Sequence, residues 1–280
     1  MPVLLTASSG RIKAARKLAD RRFRKQTGRF LIEGPQVLTE ALGGVNAVRE
    51  VFATPEAAER YASLRERCPI EWELADSQAL ASLSDTVTPT GLVASCAADS
   101  VIAPLRQAIS EDASLVVVCA DIRDPGNAGT IVRCADAVGA DAVIFAGHCV
   151  DPLNSKSVRA SVGSLFHLPI CVGEDVAEAF GVLRERRFTL LGTDGAAADS
   201  LFEIDDTLQH PVAWVFGNEA WGLPAAIAAG TDRQIGIPIL GQAESLNLAT
   251  AAAVCLYATV RARHQPAAGR PGAGGQHPGT

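Results

Sequence analysis

The sequence lacks the patterns of a membrane-spanning or secreted protein. Although 48% of its 280 residues are hydrophobic, every apolar run is short and is broken by Asp, Arg or Gly, well below the ~20 residues that a transmembrane helix requires. The opening stretch, MPVLLTASSGRIKAARK, places a brief apolar patch before the basic residues, which is the reverse of a signal peptide. We therefore expect a cytoplasmic protein without a membrane segment.

The cysteines and histidines also lack the spacing of a structural site. The seven cysteines are scattered and form no CxxC pair, so the sequence predicts neither a disulfide framework nor a zinc site. His148, His167 and His210 show no ligand spacing. We expect no bound metal, and we expect most cysteines to be small core residues in a reducing compartment.

Positive charge is concentrated near the N-terminus, although the formal net charge is -6. Of the 25 Lys and Arg residues, nine lie between Arg11 and Arg29, against one of the 31 acidic residues. A basic arm on an acidic body is typical of a protein that meets phosphates at one end. The alternative is a solvated helix face above an apolar stripe of Ile12, Ala15 and Ala19, and the sequence leaves both open.

The pattern of apolar segments predicts an α/β protein with two domains. Residues 1–98 alternate short helices and strands, including FLIEG, AVREVFA, IEWEL and GLVAS, with helices opening at Pro35 and Pro55 and near Ser77. Residues 99–113 are interpreted as a linker. Residues 114–264 contain the near-continuous apolar runs LVVVCA, AVIFA, FTLLGT, VAWVFG and QIGIPI. Such runs indicate strands buried on both faces of a mostly parallel sheet flanked by helices. Residues 265–280, rich in Gly and Pro, are predicted to be a disordered tail.

Three loops that follow these strands carry polar residues at an edge where parallel sheets bind ligands. The first, DIRDPGNAGTIVR, contains Asn127 and Arg133 and has glycines spaced GxxG rather than the GxGxxG of a dinucleotide turn. The second, VFGNEAWGLP, contains Gly217 and Glu219. The third, IPILGQAESLNLATAAAV, is interpreted as delivering Ser245 as a helix N-cap with Asn247 in the first turn.

Taken singly, each loop also has an ordinary structural explanation. The first could be a capping turn with a solvated arginine, and the second could be a glycine turn. A serine at a helix N-cap needs no further role. A buried asparagine amide, by contrast, must find hydrogen-bond partners, so the third loop is the hardest to explain by structure alone.

In order and spacing, DPGNAGTIVRCADAVGADAVI, FGNEAWGL and IPILGQAESLNLATAAAVCLY resemble the three motifs of the SpoU (TrmH-type) branch of the SPOUT methyltransferases. RIKAARKLADRRFRKQTGRFLIEG and LSDTVTPTGLVA resemble the ribosomal-protein-L30e-like substrate-binding domain that precedes many of these enzymes. The resemblance implies transfer of a methyl group from S-adenosylmethionine to a ribose 2'-hydroxyl of RNA. It also implies a C-terminal trefoil knot and a homodimer.

The resemblance implies roles for particular residues. The catalytic and substrate-binding residues would be Asn127, Arg133, Glu219, Ser245 and Asn247. The residues near S-adenosylmethionine would be Thr193, Asp194, Phe216, Gly217, Ile237 and Leu246. NSKSVRASVGSLFHLPI resembles a further family segment, in which Arg159 and Ser161 would bind RNA. The other expected RNA-binding residues belong to the basic arm and are Arg11, Lys13, Arg21, Arg22, Arg24 and Lys25.

The RNA target is interpreted as 23S-type rRNA, because the L30e-like domain accompanies many rRNA-modifying members of this branch. Methylation of tRNA, or RNA binding without catalysis, remains an alternative. A nucleotide-dependent oxidoreductase, suggested by the βαβ pattern of residues 115–147, is disfavoured because the phosphate-binding glycines are missing.

Overall fold

The computed structural model describes residues 4–44 and 46–264. Two sheets organise this part of the chain, one of four strands and one of seven. The tail predicted for residues 265–280 lies outside the described residues. Among the residues described, no helix is both long and apolar enough to cross a membrane.

The four-stranded sheet has the order β1-β4-β2-β3, with β1 and β2 antiparallel to β4 and with β3 parallel to β2. Its strands are β1 (Arg29–Glu33), β2 (Val48–Ala53), β3 (Trp72–Leu74) and β4 (Leu92–Ala97). The helices around it are α1 (Gly10–Arg16), α2 (Arg21–Thr27), α3 (Pro35–Gly43), α4 (Pro55–Arg60), α5 (Ala62–Arg67) and α6 (Ser77–Ala81).

The basic arm forms two short helices, α1 and α2. Asp20 lies between α1 and α2, and its carboxylate accepts a hydrogen bond from the Phe23 N–H at 2.9 Å, which caps α2. Gly28 ends α2 in the left-handed conformation (φ 63°), which glycine adopts without steric cost. The arm therefore folds back on the domain instead of projecting as a single rod.

The seven-stranded sheet has the order β7-β6-β5-β10-β8-β11-β9, and each pairing within it is parallel. The prediction of a mostly parallel α/β sheet is confirmed, while the trefoil knot stays a prediction. The strands are β5 (Leu115–Ala120), β6 (Ala142–Ala146), β7 (Ile170–Glu174), β8 (Thr189–Thr193), β9 (Asp199–Ser200), β10 (Val212–Phe216) and β11 (Arg233–Gly236). The helices are α8 (Pro125–Ala137), α9 (Ser155–Ser161), α10 (Val176–Glu185), α11 (Asp205–Leu208), α12 (Ala225–Ala228) and α13 (Leu248–His264).

Residues 99–113, predicted as a linker, are part of the packed structure. They contain α7 (Leu105–Ala108), and Val101, Leu105 and Ile109 are buried. The backbone also pairs with β7, since the Ile170 N–H donates to the Val101 carbonyl at 3.0 Å. Apolar residues at these positions cover the edge of the large sheet, so the two sheets are joined by a folded segment.

The two sheets are also connected by side chains. Arg24, buried in α2, donates to Asp151 at 3.1 and 2.7 Å across the boundary. The rings of Phe30 and Phe166 stack with their centroids 6.1 Å apart. The Arg24–Asp151 pair holds the basic arm against the loop that follows β6, and the two rings join β1 to the segment that follows α9.

His167 bridges the same boundary between two carboxylates. Its Nδ1 lies 2.8 Å from Asp136 of α8, and its Nε2 lies 3.1 Å from Glu40 of α3. The hydrogen bond with Asp136, followed by that with Glu40, raises the pKa of His167 above its ordinary value. Only the protonated imidazole can donate to both carboxylates.

This bridge predicts a pH-dependent stability. A histidine whose pKa is raised in the folded state stabilises it fully below the unfolded pKa of about 6.5, and that contribution is lost as the pH rises through the folded pKa. We expect the urea midpoint to fall as the pH is raised from about 6 to 8. His167→Gln should flatten that dependence. An equal fall in the variant would show that other groups cause it.

The last helix, α13, is buried on one face and exposed on another. One face is buried through Ala252, Cys255, Leu256 and Thr259, but Tyr257 on another face is 55% exposed. On the buried face, the indole N–H of Trp214 donates to the Thr259 hydroxyl at 2.9 Å. Trp214 is the central residue of β10, so this bond fixes α13 to the middle of the sheet.

Removal of the Thr259 hydroxyl should leave the buried indole N–H of Trp214 without a hydrogen-bond partner. Thr259→Val keeps the shape of the side chain, and we expect it to lower the free energy of unfolding by about 1–3 kcal/mol, measured by urea denaturation. In a Trp214→Phe background the same change should cost little, because the donor is gone. Equal costs in the two backgrounds would contradict this role for the bond.

Candidate active site at the carboxyl edge of the seven-stranded sheet

The loops after β5 and β10 meet at one edge of the sheet, because β5 and β10 are paired in parallel. Asn218, which follows β10, is 5% exposed, and its side-chain amide donates to the Asp121 carbonyl at 3.0 Å. Asp121 comes directly after β5 and has a positive φ of 57°. Asn218 was not among the predicted site residues. The sequence gives only a weak signal for Asn218. Its burial and its hydrogen bond to Asp121 show that it joins the two loops.

Glu219 connects the first two loops. Its carboxylate accepts hydrogen bonds from the backbone N–H groups of Arg123 and Asp124, at 3.3 and 3.1 Å. It also accepts from the Asn127 side-chain amide at 3.2 Å. Glu219 therefore fixes the start of α8 and the orientation of the Asn127 side chain.

The third loop completes this cluster through Asn247. Its side-chain amide donates to the Asn127 carbonyl oxygen at 3.1 Å. Its own carbonyl oxygen accepts from the N–H groups of Ala249 and Thr250, at 3.0 and 3.3 Å, just as α13 begins. The predicted N-cap Ser245 is wrong, because Asn247 makes the capping hydrogen bonds. We call Asn127, Glu219 and Asn247 the polar cluster.

Arg133 lies six residues beyond Asn127 on α8, which corresponds to about 9 Å along the helix axis. It is exposed, whereas Ile131 and Ala135 of the same helix are fully buried against the sheet. Arg133 therefore lies on the face of α8 that points away from the sheet. Its guanidinium faces outward, where a ligand from solvent can reach it.

A cavity of about 140 Å³ lies beside the polar cluster, between the segments that follow β8 and β11 and the start of α13. Four of the six residues predicted near a cofactor line it, and so does Ser245. The predicted lining residues are Thr193, Asp194, Ile237 and Leu246, and those that the sequence did not indicate are Gly195, Ile235, Ile239, Glu244 and Ala251. We call this space the cofactor cavity.

Phe216 and Gly217 do not line the cofactor cavity and are fully buried or nearly so. A Cβ atom at Gly217 would lie 2.4 Å from the backbone of Gly222 and Leu223. The space beside this glycine is taken by its own loop, and a contact of its main chain with a cofactor stays a prediction. Gly217 allows the loop to close through the pairing of Asn218 with Gly222.

Within the described part of the chain, some of the predicted RNA-binding residues are exposed without an ion pair, and others form ion pairs within the protein. Lys13, Arg21, Arg22 and Lys25 are exposed. Arg11 is partly exposed and forms ion pairs with Glu50 and Glu73 at 3.1 and 2.5 Å. Arg159 lies half-buried, 3.9 Å from Asp85.

Two of these predictions are corrected by burial. Arg24 is 5% exposed, and its guanidinium is occupied by Asp151 and by the carbonyls of Leu18 and Ala19 at 2.8 Å. Ser161 is fully buried and donates to the Val158 carbonyl at 2.8 Å. Neither side chain can reach an RNA strand at the surface.

Comparison with known protein families decides the assignment. Residues 114–257 match the model of the SpoU rRNA methylase family, and residues 10–94 match that of the MRM3-like substrate-binding domain. The chain belongs to the SpoU rRNA methylase family. Its members include a Bacillus subtilis protein named as a 23S rRNA guanosine 2'-O-methyltransferase, which is 32% identical over 92% of this chain and 98% of its own length.

Solved structures of SpoU relatives agree with this membership. The Streptomyces viridochromogenes methyltransferase AviRb in complex with AdoMet superimposes with a TM-score of 0.80 at 30% identity, over 91% of this chain and 98% of that chain. An AdoMet-bound rRNA methyltransferase from Sinorhizobium meliloti gives 0.80 at 28% identity, over 92% and 97%. The predictions of an RNA 2'-O-ribose methyltransferase that uses S-adenosylmethionine, with a separate substrate-binding domain, are confirmed.

Proposed function

We propose that this SpoU methylase methylates a ribose 2'-hydroxyl of 23S-type rRNA, with the polar cluster and Arg133 at the reacting edge. One observation carries the proposal. Ser245 and Leu246 line the cofactor cavity, and the next residue, Asn247, is hydrogen-bonded to Asn127 of the polar cluster. A methyl donor in the cavity and a ribose on the polar cluster would thus be adjacent.

The lining of the cofactor cavity fits S-adenosylmethionine. Ile235, Ile237 and Leu246 supply apolar walls suited to the adenine. Asp194 and Glu244 place carboxylates in the lining, suited to the cationic amino and sulfonium groups. The bound cofactor would supply a methyl group that is already activated for transfer to an oxygen nucleophile.

Arg133 and the polar cluster would prepare the RNA for that transfer. The Arg133 guanidinium, a cation with a planar pair of donors, would bind the neighbouring phosphate and stabilise the developing alkoxide. The 2'-hydroxyl proton would leave to that phosphate or to water. Asn127 and Asn247 would orient the ribose, while Glu219 holds both loops in place.

The RNA target is tested by mapping methyl groups. The purified protein should transfer label from radioactive S-adenosylmethionine to unmodified 23S rRNA, and nuclease digestion should recover the label as one 2'-O-methyl nucleotide. tRNA serves as the competing substrate in the same reaction. Label on a base, or on tRNA alone, would overturn the proposal.

The family resemblance and the exposed apolar residues support a homodimer. Leu240 is 91% exposed and Tyr257 is 55% exposed, and Leu246 beside the cofactor cavity is 37% exposed. We propose that a second copy covers these residues. Light scattering on the purified protein should give twice the 29.2 kDa chain mass.

The proposed setting is the cytoplasm, where rRNA would meet the protein. Its proposed domains are 1–98 for substrate binding and 114–264 for catalysis. Of the predicted arm residues, Arg11, Lys13, Arg21, Arg22 and Lys25 remain proposed RNA contacts, as does Arg159 of the catalytic domain.

A further inference from the structure

A second cavity, of about 360 Å³, lies between α2 and the loop that follows β6. Its lining includes Arg21 and Lys25 of α2, Ile102 of the segment that joins the two sheets, and the apolar residues Val150 and Val172. Its volume falls within the range of about 300–1,000 Å³ that is typical of small-ligand sites. None of its lining residues belongs to the polar cluster or to the cofactor cavity.

This second cavity opens on the same sheet edge as the polar cluster. The loop after β6 is bound to the loop after β5, because the His148 N–H donates to Asp121 at 2.6 Å and the Val150 N–H donates to the Ile122 carbonyl at 2.8 Å. Asp121 in turn accepts from Asn218, which precedes Glu219. β6 lies two strands from β10, roughly 10 Å at the usual strand spacing.

We propose that this cavity receives an unstacked base of the substrate RNA close to the methylated nucleotide, and we call it the flanking-base pocket. The inference rests on the proposed function, since it assigns a second contact to the same RNA. Aliphatic side chains of Ile102, Val150 and Val172 provide an apolar surface for the base. Arg21 and Lys25, both exposed at the pocket, provide cations for the adjoining phosphates.

The charges around the flanking-base pocket favour an anionic strand. Its lining contains three cations and two carboxylates, Asp99 and Asp151. Asp151 is already neutralised by the buried Arg24 at 2.7 Å, and this leaves Arg21 and Lys25 facing the exposed Asp99 alone. The guanidinium of Arg21 is held over the pocket by the Cys149 carbonyl, at 3.4 Å.

The pocket is formed before any ligand arrives. The Arg24–Asp151 ion pair holds α2 against the loop after β6, so both walls are fixed in position. Gly28, Gly147 and Gly173 of the lining have positive φ angles of 63°, 71° and 75°, which glycine adopts without steric cost, and they add no side chain to the lining. A preformed site binds at a lower entropic cost.

The first test fills the pocket. Ile102→Trp should raise the KM for the 23S rRNA fragment methylated in the mapping experiment by about tenfold, with kcat at saturating RNA and the KM for S-adenosylmethionine unchanged. Ala62→Trp, on an exposed position of α5, is the matched control and should behave as wild type. If Ile102→Trp fails to fold by circular dichroism, Arg21→Glu with Lys25→Glu replaces it, because both residues are exposed.

The second test observes the base directly. The adenine analogue 2-aminopurine, placed in turn at each nucleotide near the methylated one, becomes brighter when it leaves its stack. One position should brighten on binding to wild type and to Ala62→Trp, but not to Ile102→Trp. This readout needs RNA binding and no methyl transfer, so it distinguishes failure of the pocket from failure of the proposed reaction. A wild-type KM for the filled variant, or no responsive position, would overturn the inference.

Discussion

Arg133→Ala should lower kcat for RNA methylation by about 100-fold or more while leaving the affinity for S-adenosylmethionine unchanged. Removal of one donor that stabilises a developing oxyanion costs about 10²–10³ in rate. Arg133 is exposed on the outer face of α8, away from the residues that line the cofactor cavity. Single-turnover methylation at saturating RNA measures the chemical step, and calorimetry measures cofactor binding.

Two further variants give this prediction its controls. Arg133→Lys retains the charge but loses the planar pair of donors, so it should recover only part of the rate. Arg65→Ala removes an exposed arginine of α5 on the other domain and should have a wild-type rate. A wild-type rate for Arg133→Ala would remove this residue from the mechanism.

Gly129→Ala should destabilise the protein by about 3 kcal/mol. A Cβ atom at Gly129 would lie 2.2 Å from the Ser157 carbonyl oxygen and 2.7 Å from the Ala160 Cβ. The new methyl group would push α9 away from α8, and both helices would have to shift. Scanning calorimetry should show a midpoint lowered by about 6–12 °C.

The matched control is a second helical glycine. Gly181 lies inside α10, and a Cβ atom there would meet nothing within 4 Å. Gly181→Ala should therefore stabilise the protein by about 0.5–1 kcal/mol through the higher helix propensity of alanine. If both variants shift the midpoint in the same direction, close approach at Gly129 does not limit stability.

The polar cluster could be predicted from the sequence because its members follow a strand or precede a helix in recognisable order. Asn127 and Glu219 come after the apolar runs of β5 and β10, and the carboxyl ends of parallel strands meet at one edge. The start of α13 was harder to place. AESLNLA contains Ser245 and Asn247, both good N-cap residues, and only the hydrogen bonds of Asn247 distinguish them.

The predictions that failed depend on contacts between distant parts of the chain. Arg24 lies among exposed basic residues, and its ion pair with Asp151, 127 positions away, removes it from the RNA-binding set. The close packing at Gly217 was not predicted, because the return of the chain at Gly222 is not visible in a strand-ending motif. The flanking-base pocket likewise arises where two domains meet, and neither domain encodes it alone.

The start of α8 carries negative charge that comes from the protein itself. A free helix N-terminus attracts anions through its dipole and its unpaired N–H groups, but here the Asp124 carboxylate accepts from the Asn127 N–H at 2.8 Å. That bond, aided by Lys156, lowers the pKa of Asp124, and Glu219 accepts the two preceding N–H groups. A pyrophosphate would be repelled from this turn. The positive end of the α8 dipole is thus used to anchor two loops, and electrostatic attraction for the RNA backbone would be left to exposed guanidinium and ammonium groups around the edge.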